Sequence, residues 1–334
     1  MIELKKPKNL DNKNIMVTGG TGSFGHRIVS RLLELKPNKI VIFSRDEKKQ
    51  CDMQDEFKNN DLLEFAIGDV RDYTRVYEVM KGIDIVYHAA ALKQVPNCEF
   101  HPMEAVKTNI LGAENVRKAA IENNVEVLVA ISTDKAVKPI NVMGMTKAIQ
   151  EKIMLNLNNS ATKKWNTRFL CVRYGNVIGS RGSVIPLFKE KIKANHSLPV
   201  TSFEMTRFLL TLNEAIDLVF TATLEGTSGQ LFVKKMPACK IVDLARVMAK
   251  AITGREDYPI KKVGIRPGEK IHEVLVSEEE MRRAIETETH YIVCPHEGLT
   301  RPKLMRNILE YTSNNTEMLG EDGIISLLSA EGWV

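Results

Sequence analysis

The chain has 334 residues, 43% of them apolar, 27% charged and 6% aromatic, with a formal net charge of +5. That balance excludes a disordered or disulfide-stapled chain and fits one large globular unit or two closely joined ones. The basic residues are dispersed, which argues against nucleic acid as a partner and suits a phosphate-bearing small molecule.

The opening stretch MIELKKPKNLDNKN is polar and lacks an apolar signal core. Ile15 to Val17 reads as a first strand and Phe24 to Leu35 as a helix with its apolar positions on one face. Between them runs Thr18-Gly19-Gly20-Thr21-Gly22-Ser23-Phe24-Gly25. Glycines at 19, 22 and 25 let backbone approach a pyrophosphate, and the helix N-terminus turns amides toward it. The second strand, Lys39 to Phe43, ends in Phe43-Ser44-Arg45-Asp46. An acidic residue at that end would accept the ribose hydroxyls of NAD. Ser44 and Arg45 come first and suit the 2′-phosphate of NADP, while Asp46 leaves NAD open.

Glu64 to Ile67 is a third strand, followed by Asp69 and Val70, placed to meet an adenine. Ile83 to His88 is a fourth, followed by Ala89, Ala90 and Ala91, small enough to let a cofactor pass. A long helical pattern covers about Met103 to Asn123. Val125 to Ser132 and Phe169 to Tyr174 are the fifth and sixth strands. Strands alternating with helices imply right-handed crossovers and a parallel sheet covered on both faces. The expected fold is α/β, a Rossmann-type doubly wound sheet over 12–178. Residues 179–334 form a smaller α+β lobe, part of which is free to return to the sheet.

The loop leaving the fifth strand reads Ser132-Thr133-Asp134-Lys135, and Met143-Gly144-Met145-Thr146-Lys147 follows. Asp134 and Lys135 sit at the carboxyl edge, where such folds bind ligands; in an arbitrary protein the same pair would be a surface ion pair. The set His290, Cys294 and His296 has no further ligand nearby to close a metal tetrahedron. Five scattered cysteines suit reduced thiols. No apolar run approaches the ~20 residues of a membrane span, so a cytoplasmic location is expected.

Taken in order, TGGTGSFG, FSRDE, GDVRD, HAAALKQVP, STDKAVKPINVMGMTK, RYGNVIGSRGSVIP, MTRF and RPGEKIHE make the chain resemble an extended short-chain dehydrogenase/reductase. More narrowly, it resembles the UDP-N-acetylglucosamine 4,6-dehydratases of bacterial surface-polysaccharide and nonulosonate (pseudaminic acid-type) pathways. The superfamily places a tyrosine four residues before the lysine; here Met143 stands there, and a thioether cannot move a proton.

The resemblance implies three steps on a UDP-sugar: oxidation at C4, loss of water across C5–C6, and return of the hydride to C6. It implies Asp134 as acid at the C6 oxygen, Lys135 as base at C5, Thr133 on the C4 hydroxyl and Lys147 on the nicotinamide ribose; passage of the C5 proton to the C6 oxygen through Asp134 is an alternative, and the C4 hydroxyl proton goes to Asp134, Lys135 or a water. Asp134 then needs a raised pKa and Lys135 a depressed one, from burial or from a cation such as Lys147. Lys93, Tyr174, Asn176 and Val177 join the cofactor set. Lys93, Asn176, Ser180, Val184 and Pro186 meet the UDP-sugar, with Arg207, Arg266 and Glu269 near its diphosphate, uridine and ribose. A homo-oligomer, dimer or hexamer, fits the same resemblance. The configuration at C5 stays open, as do a UDP-sugar 4-epimerase and a non-catalytic NADP-binding protein.

Overall fold

A computed structural model describes residues 9–156, 165–180, 182–295 and 309–334. Its centre is a nine-stranded sheet. Six strands come from the first 173 residues: β1 (Asn14–Thr18), β2 (Lys39–Ser44), β3 (Leu63–Ile67), β4 (Ile85–His88), β5 (Val127–Ile131) and β6 (Arg168–Arg173). They pair in parallel in the order β6-β5-β4-β1-β2-β3, so the direction of winding reverses between β1 and β4. The runs IMVT of β1 and VLVA of β5 are buried without alternation, as a sheet covered on both faces requires. The architecture is a Rossmann-like α/β fold.

Helices α1 (Ser23–Leu33), α2 (Glu47–Glu56), α3 (Tyr73–Val79), α4 (Val95–Phe100), α5 (Pro102–Ala105), α6 (Gly112–Glu122) and α7 (Val142–Leu155) connect these strands. The pattern expected as one helix over Met103 to Asn123 is divided by a π-helical turn, Val106–Leu111. The cause is Asn109, fully buried there. Its side chain accepts from Leu92 N at 2.8 Å and donates to Leu92 O and Thr146 Oγ1, each at 3.0 Å. The wider turn holds an amide against both the loop after β4 and α7.

Beyond residue 179 the chain builds a second apolar core around Phe188, Leu209, Leu244 and Met248. It also returns to the main sheet. Leu231–Lys234 runs parallel to β6, and His290–Val293 and Ala284–Glu286 add antiparallel strands at that edge. Among the described residues no helix is long and apolar enough to cross a membrane.

Candidate functional site

β1 delivers the glycine loop onto the N-terminus of α1. Gly19 has φ +67°, and a Cβ there would stand 2.9 Å from the Ala90 backbone, so the loops after β1 and β4 touch only because residue 19 is glycine. A Cβ on Gly25 would meet Gly20 O at 2.0 Å. Gly22 caps α1 with no side-chain hydrogen bond, which leaves the first amides for an anion. Thr18 is fully buried; its hydroxyl lies 2.8 Å from His88 Nδ1 and accepts from Ala90 N at 3.3 Å, tying β1 to the loop after β4.

A cavity of about 130 Å³ lies beside this loop, walled among others by Gly19, Ser44, Arg45, Asp69, Val70, Ala90 and Ala91. The residues assigned to the adenine end are thereby brought together. Asp46 is not among the walls. It caps α2 by accepting from Lys49 N at 3.0 Å and pairs with Lys49 Nζ at 2.7 Å. The charged group left at the end of β2 is Arg45, 3.5 Å from Asp69, whose carboxylate Arg71 grips through backbone and guanidinium. Glycine positions that exclude a side chain, an open helix N-terminus and this cavity fit a dinucleotide.

At the end of β5 the segment Asp134–Ala136 makes a single tight turn, held to the strand beside it by Ser132 N to Val172 O at 2.7 Å and Asp134 N to Tyr174 O at 3.2 Å. Asp134 is 1% exposed. Its Oδ1 accepts from Thr133 Oγ1 at 2.8 Å and Lys135 Nζ at 2.9 Å, while its Oδ2 is buried with no hydrogen-bond partner. Thr133, Asp134 and Lys135 therefore form one contiguous polar group.

The expected protonation states are corrected. Burial alone would raise the Asp134 carboxyl and depress the Lys135 amine. Their mutual attraction outweighs it, so Asp134 is lowered and Lys135 raised, with Glu273 adding to the latter. The cation found acting on Lys135 is Arg207. Lys147 instead donates to Ile131 O at 2.6 Å and Gln150 Oε1 at 2.7 Å, and burial brings its amine down to about 8.

Met143 packs in a small apolar cluster with Cys98 and Ala105. The following residue explains how close the helix comes: a Cβ on Gly144 would stand 2.2 Å from Lys135 O. Asn141 caps α7 by accepting from Gly144 N and donates to Gly268 O, each at 2.8 Å.

On the other side, Asn176 presents a buried Oδ1 with no partner, and burial pushes up the Tyr174 phenol beside it. Gly182, at φ +75°, lies so near Gln94 that a Cβ would sit 2.5 Å from its Nε2. Gly182 thus sits against the loop bearing the exposed Lys93, Ser180 and Pro186 flank that contact in the chain, and Val184 opens the helix Val184–Lys193. Glu269 accepts from Thr201 Oγ1 at 3.2 Å and from the amide of the exposed Arg266 at 3.3 Å. Arg207, expected near the diphosphate, is engaged with the chain itself. Its guanidinium donates to the carbonyls of Thr206, Lys270 and Ile271 and stands 3.6 Å from Glu273, tying the 270–273 segment to its own strand.

Two features escaped the sequence. Glu273 is one, although it closes the quoted RPGEKIHE run. The other is Arg173, whose guanidinium binds Glu151, Glu280 and Leu275 O while Ser132 donates to Glu151 at 2.5 Å. An arginine ending an apolar strand was its one signal. Among the described residues no group of three His, Cys, Asp or Glu is placed to hold a metal ion. His296, and Arg181 within RYGNVIGSRGSVIP, lie outside the described residues.

A family model described as polysaccharide biosynthesis protein matches residues 15–295. A UDP-glucose 4-epimerase of Rickettsia bellii is 46% identical over 336 residues, covering 95% of this chain and 95% of the relative. The X-ray structure of Pen from Bacillus thuringiensis is 38% identical with a TM-score of 0.88, covering 96% of this chain and 99% of that one. The dTDP-glucose 4,6-dehydratase DesIV of Streptomyces venezuelae shares 18% identity with a TM-score of 0.69, over 77% of this chain and 86% of that one. At that distance the likeness is one of fold.

Proposed function

The chain belongs to this polysaccharide biosynthesis protein family, and on that premise we propose that it is an NADP-dependent UDP-N-acetylglucosamine 4,6-dehydratase. The observation that carries the reading is the pair of a buried Asp134 and a half-buried Lys135 at the carboxyl edge of β5, an acid and a base side by side where Met143 supplies neither. Epimerisation at C4 asks only for redox at that carbon. Elimination across C5–C6 asks for two proton-transfer groups within reach of adjacent atoms.

The glycine loop and the amides of α1 would hold the pyrophosphate, Ser44 and Arg45 the 2′-phosphate, and Lys147 the nicotinamide ribose. Bound NADP supplies the oxidation at C4 and the reduction at C6, so the net change is loss of water. Thr133 hydrogen-bonds the C4 hydroxyl. The resulting ketone acidifies the C5 proton.

The resting ion pair supplies both missing groups at once. A proton moving from Lys135 Nζ to Asp134 Oδ1, 2.9 Å apart, leaves an amine and a carboxylic acid. The amine takes the C5 proton while the acid protonates the C6 oxygen, water leaves, and the ion pair is restored. With unperturbed pKa values that internal transfer costs about 9 kcal/mol; burial, which disfavours both charges, works to lower it, while the attraction that holds Asp134 down and Lys135 up works the other way and prevails. One turnover per second corresponds to a barrier of about 17 kcal/mol, within which the transfer fits.

The test is NMR of the reaction with UDP-N-acetylglucosamine in D2O. A 4-keto-6-deoxy product carrying deuterium at C5 supports the proposal, and its C5 configuration separates retention from inversion. Absence of any 4-keto or 5,6-unsaturated product from UDP-hexosamines refutes it. The name of the Rickettsia bellii relative favours a second reading, a UDP-sugar 4-epimerase. In that case Asp134→Asn would keep full activity and the product would be the C4 epimer.

A further inference from the structure

Glu273 is 2% exposed, and its Oε2 is buried with no hydrogen-bond partner. Its Oε1 lies 3.7 Å from Lys135 Nζ and 3.6 Å from Arg207 Nε. A carboxylate so deeply buried is costly unless it meets cations. Here it meets two, one on the turn after β5 and one on the strand Thr206–Leu210. The backbone at Glu273 is independently fixed: its amide donates to Ser313 Oγ and its carbonyl accepts from Ser313 N, both at 2.9 Å. The carboxylate is therefore delivered by a rigid segment just ahead of the strand Val274–Val276.

We propose that Glu273 is a positioning residue of this site: its carboxylate holds the Lys135 amine beside Asp134 and offsets Arg207, so that the Asp134–Lys135 pair keeps its single shared proton at working pH. The inference rests on the dehydratase reading for what that proton does, and on the geometry alone for where it sits. Further charged and titratable groups lie around the pair, and on α7, packed against the turn, Lys147 is already held by Ile131 O and Gln150 Oε1. Arg207 lies on its strand, Lys270 donates to Val137 O at 2.5 Å, and His272 lies 2.8 Å from Thr206 Oγ1. Without Glu273 the Lys135 amine would lose the second carboxylate seen acting on it and still face Arg207 and Lys270. A cation-rich surrounding weakens the hold of both groups on protons, Lys135 most. Burial depresses Lys270 and His272 already, which leaves Glu273 as the counterweight.

Two variants and two readouts test this. The first readout is the pH dependence of kcat for formation of the 4-keto product. The second is the pH dependence of Lys135 labelling by an amine-reactive anhydride, read by mass spectrometry on the holoenzyme without substrate. In Glu273→Gln, which keeps shape and removes charge, both limbs of the kcat profile and the Lys135 labelling midpoint should move to lower pH. The expected shift is about 1–3 units. Glu273→Asp, with the carboxylate drawn back, should give a smaller shift of the same sign and serves if the glutamine variant does not fold. A uniform fall in kcat with unmoved limbs and an unmoved labelling midpoint would assign Glu273 a purely structural role and overturn the proposal. Labelling needs no turnover, so it decides on Glu273 even if no 4-keto product forms.

Discussion

Gly144→Ala places one methyl group in the contact between α7 and the Asp-Lys turn. The new carbon would stand 2.2 Å from Lys135 O and 3.1 Å from the Lys135 carbonyl carbon, and neither is the loose end of a side chain. Carbon and carbonyl oxygen come to rest near ~3.3 Å, so helix and turn must separate by roughly 1 Å. Alanine returns about 1 kcal/mol of helix propensity. Forced overlap in a packed interior costs about 1–3 kcal/mol. The net change in stability is thus small and destabilising, about 1 kcal/mol, or a few degrees in Tm. The catalytic effect is larger, because a 1 Å misplacement of a reacting group costs about 100-fold. The assay is kcat for dehydration at saturating UDP-N-acetylglucosamine, with NADP affinity measured beside it. On the dehydratase reading kcat should fall about 100-fold while NADP affinity, which that reading assigns to the loop between β1 and α1, stays within about twofold. A higher Tm with undiminished kcat would refute the reasoning, since it would mean that α7 and the turn are not in contact.

Two further expectations concern the cofactor and acid stability. Arg45→Ala should weaken NADP binding by about 10–100-fold, the worth of a charged hydrogen bond, and leave NAD affinity nearly unchanged by calorimetry; equal losses for both would remove Arg45 from the 2′-phosphate site. The Glu280 carboxyl is held near pKa about 2, because the Arg173 guanidinium outweighs the upward push of burial. A depressed carboxylate contributes stability above its unfolded pKa of about 4.3 and loses it as pH falls toward 2. Glu280→Gln should therefore cost about 3 kcal/mol at pH 7 and almost nothing at pH 2 in denaturant melts, and an equal loss at both pH values would contradict the pairing.

Much of this molecule was legible in one dimension. Unbroken β-branched runs mark a strand buried on both faces, and the glycines at 19, 22 and 25 mark a turn whose geometry side chains forbid. Asp134 and Lys135 are neighbours in the chain, so their meeting needed no fold. The chemistry that depends on distant partners was not legible. Glu273 is far from Lys135 in sequence, and it adds to the upward shift of the Lys135 amine. The same holds for Arg173, which reaches Glu151 on α7 and Glu280 near the strand Val274–Val276. The π-helical turn went unseen because its cause, the grip of Asn109 on Leu92 and Thr146, lies outside the helix that it distorts.

The return of Leu231–Lys234 to pair with β6 has a consequence for dissecting the chain. A fragment ending near residue 178 would leave β6 as a bare edge, its apolar face uncovered and its amides open to other chains. The carboxyl-terminal half therefore cannot be exchanged as a cassette by cutting where the alternating pattern loosens. A chimera must carry the strands at 231–234, 284–286 and 290–293 along with the amino-terminal sheet, or keep both halves from one parent.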